Sequence, residues 1–208
     1  MSEVTTGIRA ILSRPGVYEL WSRAVGGVHG RNTLVRDHVR PQQDARVLDL
    51  GCGPGDLVRY LPANVEYVGV DLHQGYIDSA REHFGTDRRT FRVGDVTALD
   101  ADLREFEIVT VFGVIHHLDD AAAYGLFWQA AQALSPGGRI VTVDPAFTGN
   151  QNRWARAVIA RDRGQNVRYP NEYERLATDS FVHVGSVTRS DLLRIPYTHC
   201  ILEGQTPS

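Results

Sequence analysis

The stretch Val47-Leu48-Asp49-Leu50-Gly51-Cys52-Gly53-Pro54-Gly55-Asp56 organises the reading of the whole chain. An aliphatic run ends in three alternating glycines, and a helical pattern begins at Asp56 and reaches Leu61. Glycine admits positive φ and lets a ligand approach the backbone closely. A helix N-terminus adds unpaired N–H groups and partial positive charge. The sequence therefore predicts an anionic group, phosphate or carboxylate, at this turn. The dinucleotide fingerprint is G-x-G-x-x-G/A. Here its third position holds Asp56, an anion where a pyrophosphate would lie, so dinucleotide binding fits poorly. A glycine turn without a ligand is the plain alternative.

Outward from this turn, short β-rich runs alternate with helical ones, the pattern of a parallel α/β sheet. Strands are expected at Arg46 to Leu50, Val65 to Val70, Thr90 to Val93, Phe106 to Phe112 and Arg139 to Val143. Helices are expected at Gln74 to Phe84 and Ala121 to Leu134, the latter closed by Ser135-Pro136-Gly137-Gly138. After Asp144 comes an excursion to Asp179, with helices over Asn150 to Arg163 and Asn171 to Ala177. Two more strands follow, Phe181 to Thr188 and Tyr197 to Leu202. Ahead of the first strand, Tyr18 to Val25 and Arg31 to Val39 read as helices split by Gly26-Gly27. No linker divides the chain, and 208 residues suit one domain.

Composition removes several chemistries. The basic residues number 22 and all are arginine. Without lysine there is no Schiff base, no Walker-A lysine and no kinase strand lysine. A net charge of -3 gives no general attraction to nucleic acid or anionic membrane. Two cysteines are too few for a disulfide framework or a four-cysteine zinc site, and the histidines show no metal-ligand spacing. No apolar run spans a bilayer or forms a signal peptide, so a cytoplasmic setting is expected. All-arginine usage is what a GC-rich bacterial genome gives.

The glycine stretch resembles motif I of class I S-adenosylmethionine-dependent methyltransferases, near V-L-D-[LIV]-G-C-G-[PTS]-G, with every position matched. The resemblance extends over about Tyr18 to Leu202. It implies one methyltransferase domain over 1–208, with N-terminal helices at 16–40 and a cap-like insertion at about 145–179. The implied fold is a doubly wound, Rossmann-like α/β domain: a seven-stranded mixed sheet of order 3-2-1-4-5-7-6 with strand 7 antiparallel. The implied cofactor is S-adenosylmethionine, leaving as S-adenosylhomocysteine, and the implied acceptor is a small molecule methylated on O, N or C. In this picture Gly51, Cys52, Gly53, Gly55 and Gly113 line the cofactor, and Cys52 packs without nucleophilic chemistry. Asp49 orients the loop or the methionine amine. Asp71, 20 residues after Gly51, suits two ribose hydroxyls, with Leu72 beside it. Asp95 takes the adenine amino group, with the Val96 backbone nearby. Tyr18 or Arg31 reaches the methionine carboxylate. Cofactor binding without methyl transfer, as a scaffold or a pericyclase-like catalyst, is the competing activity.

The fourth strand runs out into Gly113-Val114-Ile115-His116-His117-Leu118, where doubly wound sheets place ligands. If this segment stays extended, one histidine faces the cleft. His116 is favoured over His117 as the base, because an imidazole of ordinary pKa near ~6.5 accepts a proton from a hydroxyl or amine. Packing by both, with methyl transfer by positioning alone, is the alternative. Asp144 lines the cleft and pairs with a histidine, or caps the following turn. Arg153, Arg156, Arg161, Arg163 and Arg168 form either a solvated face or a lid that holds an anionic substrate. Trp154 and Tyr169 are expected to pack in the core or wall a pocket, and Tyr197 and His199 are weaker cleft candidates.

Overall fold

The computed structural model describes residues 27–161 and 164–208. Among them, α1 (Gly27–Leu34) runs into a π-helical turn, Val35–Val39, ahead of β1 (Arg46–Leu50). A 3-10 helix (Asp56–Tyr60), β2 (Glu66–Asp71), α2 (Gln74–Phe84), β3 (Arg89–Val93) and β4 (Phe106–Phe112) follow. A 3-10 turn (Ile115–His117) leads to α3 (Asp120–Ala133) and β5 (Leu134–Pro145). The excursion carries α4 (Arg153–Ile159) and α5 (Pro170–Ala177), and the chain closes with β6 (Val182–Arg189) and β7 (His199–Gln205).

The strands form one seven-stranded sheet of order β3-β2-β1-β4-β5-β7-β6. Pairing is parallel from β3 to β5, and β7 lies antiparallel between β5 and β6. The expected topology is thus the observed one. Successive strand residues point to opposite faces. Leu48, Leu50, Val109, Val111 and Ile140 accordingly face α3 and α5. Val47, Ile108, Val141 and Val143 face α1, the 3-10 helix and α2. On α3 the buried residues Ala123, Leu126, Phe127, Ala130 and Ala133 recur at helical spacing, and Asp119 caps the helix by accepting from the Ala122 N–H at 2.9 Å. Each fully buried Leu or Phe contributes about 1.5–3 kcal/mol.

Three local expectations need correction. The helix expected from Asp56 to Leu61 is a 3-10 helix that ends at Tyr60. Pro62 disfavours helical backbone at Leu61, which sits at φ -85, ψ 149. Ser135 to Gly138 does not separate helix from strand. Leu134 already pairs with Phe106 and Arg139 with Ile108, so the four residues between form a bulge within β5. The helix expected over Asn150 to Arg163 is capped at Asn152 and ends at Ile159. The expected helix Tyr18 to Val25 lies outside the described residues. No helix among the described residues is long and apolar enough to cross a membrane.

Candidate active site

The carboxyl ends of β1, β2, β4 and β5 gather the site. Gly51 takes φ 77 and Gly55 φ 81, backbone that side-chained residues rarely adopt. A Cβ on Gly51 would overlap Val114, and one on Gly55 would lie 2.8 Å from the Phe91 ring. The first glycine thus brings the β1 loop against the β4 loop, and the third sits on β3.

Four of the loop N–H groups are already engaged within the protein. The Gly51 and Cys52 N–H groups both donate to the Val70 carbonyl, at 2.7 and 3.1 Å. Gly55 donates to the Cys52 carbonyl at 3.1 Å, and Gly53 to Asp71 Oδ2 at 2.8 Å. With these donors engaged inside the protein, the loop offers a close backbone surface to its ligand. Cys52 is buried, its Sγ 2.8 Å from where a Gly69 Cβ would be, and burial pushes its thiol well above the usual range. It therefore stays a packing thiol.

Asp71 is held from two sides. His73 N–H donates to its Oδ1 at 2.8 Å, and Gly53 N–H occupies Oδ2. Each carboxylate oxygen keeps a second lone pair, the acceptor pair a vicinal diol requires. Leu72 beside it is 56% exposed, an apolar surface available to cover a planar ring. Asp95 Oδ1 accepts from Thr97 N–H and Oγ1 at 2.9 and 2.7 Å, which directs Oδ2 to other donors. The Val96 side chain is buried in the core, leaving its backbone for any ligand contact.

Asp49 is buried under the loop. Tyr67 Oη donates to its Oδ2 at 2.6 Å and Thr110 Oγ1 to its Oδ1 at 2.8 Å. Burial pushes its carboxyl up to about 6 against those two hydrogen bonds; the charge of Asp71 adds to the rise and that of Arg31 opposes it. Partly buried Arg31 on α1 is therefore within electrostatic reach of the loop. Tyr18 lies outside the described residues.

At the ends of β4 and β5, His116 and Asp144 meet. His116 Nδ1 lies 2.7 Å from Asp144 Oδ1, and the same oxygen accepts the His116 backbone N–H at 3.1 Å. Both side chains are buried, at 6% and 1% exposure. The segment is not extended: Ile115–His117 is a 3-10 turn that turns His116 inward and leaves His117 exposed, their rings 4.1 Å apart. Gly113, at φ 73, starts this turn, with His116 Cε1 3.9 Å from its Cβ direction. Asp144 pairs with a histidine, and its side chain holds the preceding His116 turn rather than the turn that follows it.

The excursion arginines separate. Arg153, Arg156 and Arg161 are exposed, with Arg156 stacked 4.9 Å from the Phe147 ring centroid. Arg163 lies outside the described residues. Arg168 is buried and bonded within the protein, so it is not a cation offered to substrate. Residue type alone carried no signal to single it out. Trp154 and Tyr169 are 76% and 41% exposed and do not join the core. Tyr197 and His199 stack on each other at 4.8 Å on the approach to β7. A hollow lined by Arg40, Glu107, Gly137 and Arg139 opens at the amino ends of the strands, away from this site. No cluster of metal-ligating side chains occurs among the described residues.

Residues 47–138 match the family model described as "Methyltransferase domain". Phosphoethanolamine N-methyltransferase 3 of Arabidopsis thaliana is 29% identical over 173 residues, covering 81% of this chain and 35% of that protein. The 27-O-demethylrifamycin SV methyltransferase of Amycolatopsis mediterranei is 30% identical over 105 residues, covering 48% of this chain and 38% of that protein. The chain thus spans little more than a third of these relatives' length. Among solved structures, Haemonchus contortus phosphoethanolamine N-methyltransferase 2 with S-adenosyl-L-methionine matches at TM-score 0.73 and 16% identity, over 98% of this chain and 60% of that one. Human N-acetylserotonin methyltransferase in complex with SAM matches at TM-score 0.70 and 18% identity, over 96% and 58%. These likenesses establish the fold.

Proposed function

We propose, from the match of residues 47–138 to the methyltransferase domain model and the resemblance of the glycine stretch to motif I, that the chain is a class I S-adenosylmethionine-dependent methyltransferase that transfers a methyl group to O, N or C of a small-molecule acceptor. The observation that carries this reading is the buried His116–Asp144 pair, 2.7 Å apart, beside the glycine loop that Val114 packs against. The residues present fit the cofactor. Asp71, oriented by Gly53 and His73, would accept the ribose hydroxyls, Asp95 Oδ2 would take the adenine amine, and exposed Leu72 would cover the ring. Arg31, within electrostatic reach of Asp49 under the loop, would be the cation for the methionine carboxylate. When bound, the cofactor supplies an electrophilic methyl group on a sulfonium.

The chain's own part is to place and deprotonate the acceptor. Asp144 accepts Nδ1–H of His116 and so fixes the tautomer whose lone pair is on Nε2. Nε2 would take the proton that the acceptor gives up on methylation. The imidazolium that results is stabilised by Asp144. With no lysine in the chain, no ammonium competes for this role. We read the protein as one cytoplasmic domain whose excursion caps the acceptor, acting without nucleic acid, membrane or metal.

The test is S-adenosylhomocysteine formation by the purified chain with S-adenosylmethionine and a panel of phenols, amines (phosphoethanolamine among them) and carbon acids. Product above the protein-free background supports the reading. Cofactor binding without product across the panel favours the scaffold or pericyclase-like activity. Binding of NAD in place of S-adenosylmethionine overturns it.

A further inference from the structure

Arg168 lies on the excursion, yet it joins both halves of the His116–Asp144 pair. Its guanidinium uses all its N–H donors. Nε and Nη2 donate to Asp120 Oδ1 at 3.1 and 2.8 Å, Nη2 also to the Leu118 carbonyl at 2.8 Å, and Nη1 to the carbonyls of Ile115 and Asn166 at 3.2 and 3.0 Å. The Ile115 and Leu118 carbonyls bracket the turn that carries His116. The backbone of Arg168 meets the other strand: it forms a bridge with Ala146, and its carbonyl accepts the Phe147 N–H at 3.1 Å. These residues follow Asp144 by two and three positions. Tyr173 completes the junction, its hydroxyl donating to the Pro145 carbonyl at 2.9 Å and accepting the Arg168 N–H at 3.4 Å.

The same strand of chain also covers the imidazole. Asn166 N–H donates to the His116 carbonyl at 3.0 Å. Gly164 lies so close over the ring that a Cβ there would overlap it. Any side chain at 164 would push the imidazole or the strap away.

We infer that Arg168 is the positioning residue of the proton-accepting pair, tying the His116 turn to the end of β5 so that His116 Nδ1 stays on Asp144. This rests on the reading of His116 as proton acceptor, but the tie itself is independent of it. An arginine is required because lysine has three donors on one nitrogen and cannot span a carboxylate and three carbonyls. Truncation would take the Arg168 donor from the Leu118 carbonyl and leave the Ile115 carbonyl only the Leu118 N–H at 3.0 Å, freeing the turn to shift; a misplacement of about 1 Å in such a group costs roughly 10²-fold in rate.

The test compares the chain with Arg168→Ala, Arg168→Lys and Asp120→Asn, using nitrogen-15-labelled histidine. Long-range nitrogen–proton spectra at mildly alkaline pH show which His116 nitrogen carries the proton, and His116→Gln assigns its signals. S-adenosylhomocysteine affinity and turnover are measured alongside. The expected result is a single Nδ1–H tautomer in the unaltered chain and a mixture with Nε2–H in Arg168→Ala. Turnover falls about 10²-fold, while affinity stays within about threefold. Arg168→Lys does not restore the tautomer. If Arg168→Ala fails to fold, Asp120→Asn, which loosens the guanidinium from an exposed carboxylate, moves the spectrum the same way by less. A folded Arg168→Ala protein with the His116 tautomer unchanged overturns the assignment. An unaltered chain that holds the tautomer but never transfers methyl contradicts the proposed function and leaves the tie standing.

Discussion

His116 Nδ1 lies 2.7 Å from Asp144 Oδ1, and both side chains are buried where β4 and β5 end. The same oxygen also takes the His116 backbone N–H at 3.1 Å, so the ring and the turn are aligned by one atom. Such a pair orients an imidazole and stabilises its protonated form. Replacing His116 by Ala should lower turnover about 10²–10⁴-fold, the usual size of general base catalysis. Affinity for S-adenosylhomocysteine, measured by calorimetry, should hold, because the ring is apart from Asp71 and Asp95, the residues proposed for ribose and adenine. His117→Ala should lose less than His116→Ala, since that side chain faces solvent.

Asp71 is the acid whose loss should be felt in binding. Its removal takes away acceptors for two hydroxyls and also strands the Gly53 and His73 N–H groups. A hydrogen bond to a charged group contributes about 1.5–3 kcal/mol. Asp71→Ala should therefore weaken S-adenosylmethionine roughly tenfold to a hundredfold or more. Equal affinity in the two proteins would remove Asp71 from the cofactor site.

Asp49 makes stability depend on pH with an unusual sign for a carboxyl. Its ordinary value is 3.8, and burial raises it to about 6 in the folded chain. Between those values the folded state binds the extra proton, so this contribution is fully present below about 3.8 and is lost as pH rises through about 6. The gap corresponds to about 3 kcal/mol. Asp49→Asn keeps an acceptor for Tyr67 and removes the titration. Denaturant unfolding at a series of pH values should show the variant gaining on the unaltered chain from about pH 4 to about pH 6.5. Parallel curves would place the titration elsewhere.

Much of this architecture is legible in the residues. The run Phe106 to Phe112 announces a strand covered on both faces, and Tyr76, Ile77, Ala80 and Phe84 mark one face of α2, of which Ile77 and Ala80 are buried. The acid at the end of β2 follows from its distance to the glycine turn. Other features depend on contacts that sequence spacing does not encode. Pro62 is visible, but its shortening of the helix after the loop is a matter of backbone sterics at Leu61. Ser135-Pro136-Gly137-Gly138 carries turn residues, and only the pairing of Leu134 with Phe106 makes it a bulge. Among the excursion arginines, Arg168 is distinguished by Asp120 and three carbonyls that lie far away in sequence or are part of the backbone. The engagement of the loop N–H groups by Val70 and Asp71 was equally hidden, and it changes what the glycines do.

The central claim is that His116 and Asp144 act as one proton-accepting unit, and a double-mutant cycle on turnover tests it most directly. Groups acting as a unit are strongly non-additive: removing the second costs little once the first is gone. With an acceptor in hand, kcat is measured for the unaltered chain, His116→Ala, Asp144→Asn and the double variant, each with S-adenosylhomocysteine affinity as a check on folding. The account predicts that the double variant is no slower than His116→Ala within about threefold. Independent losses that multiply in the double variant would contradict it.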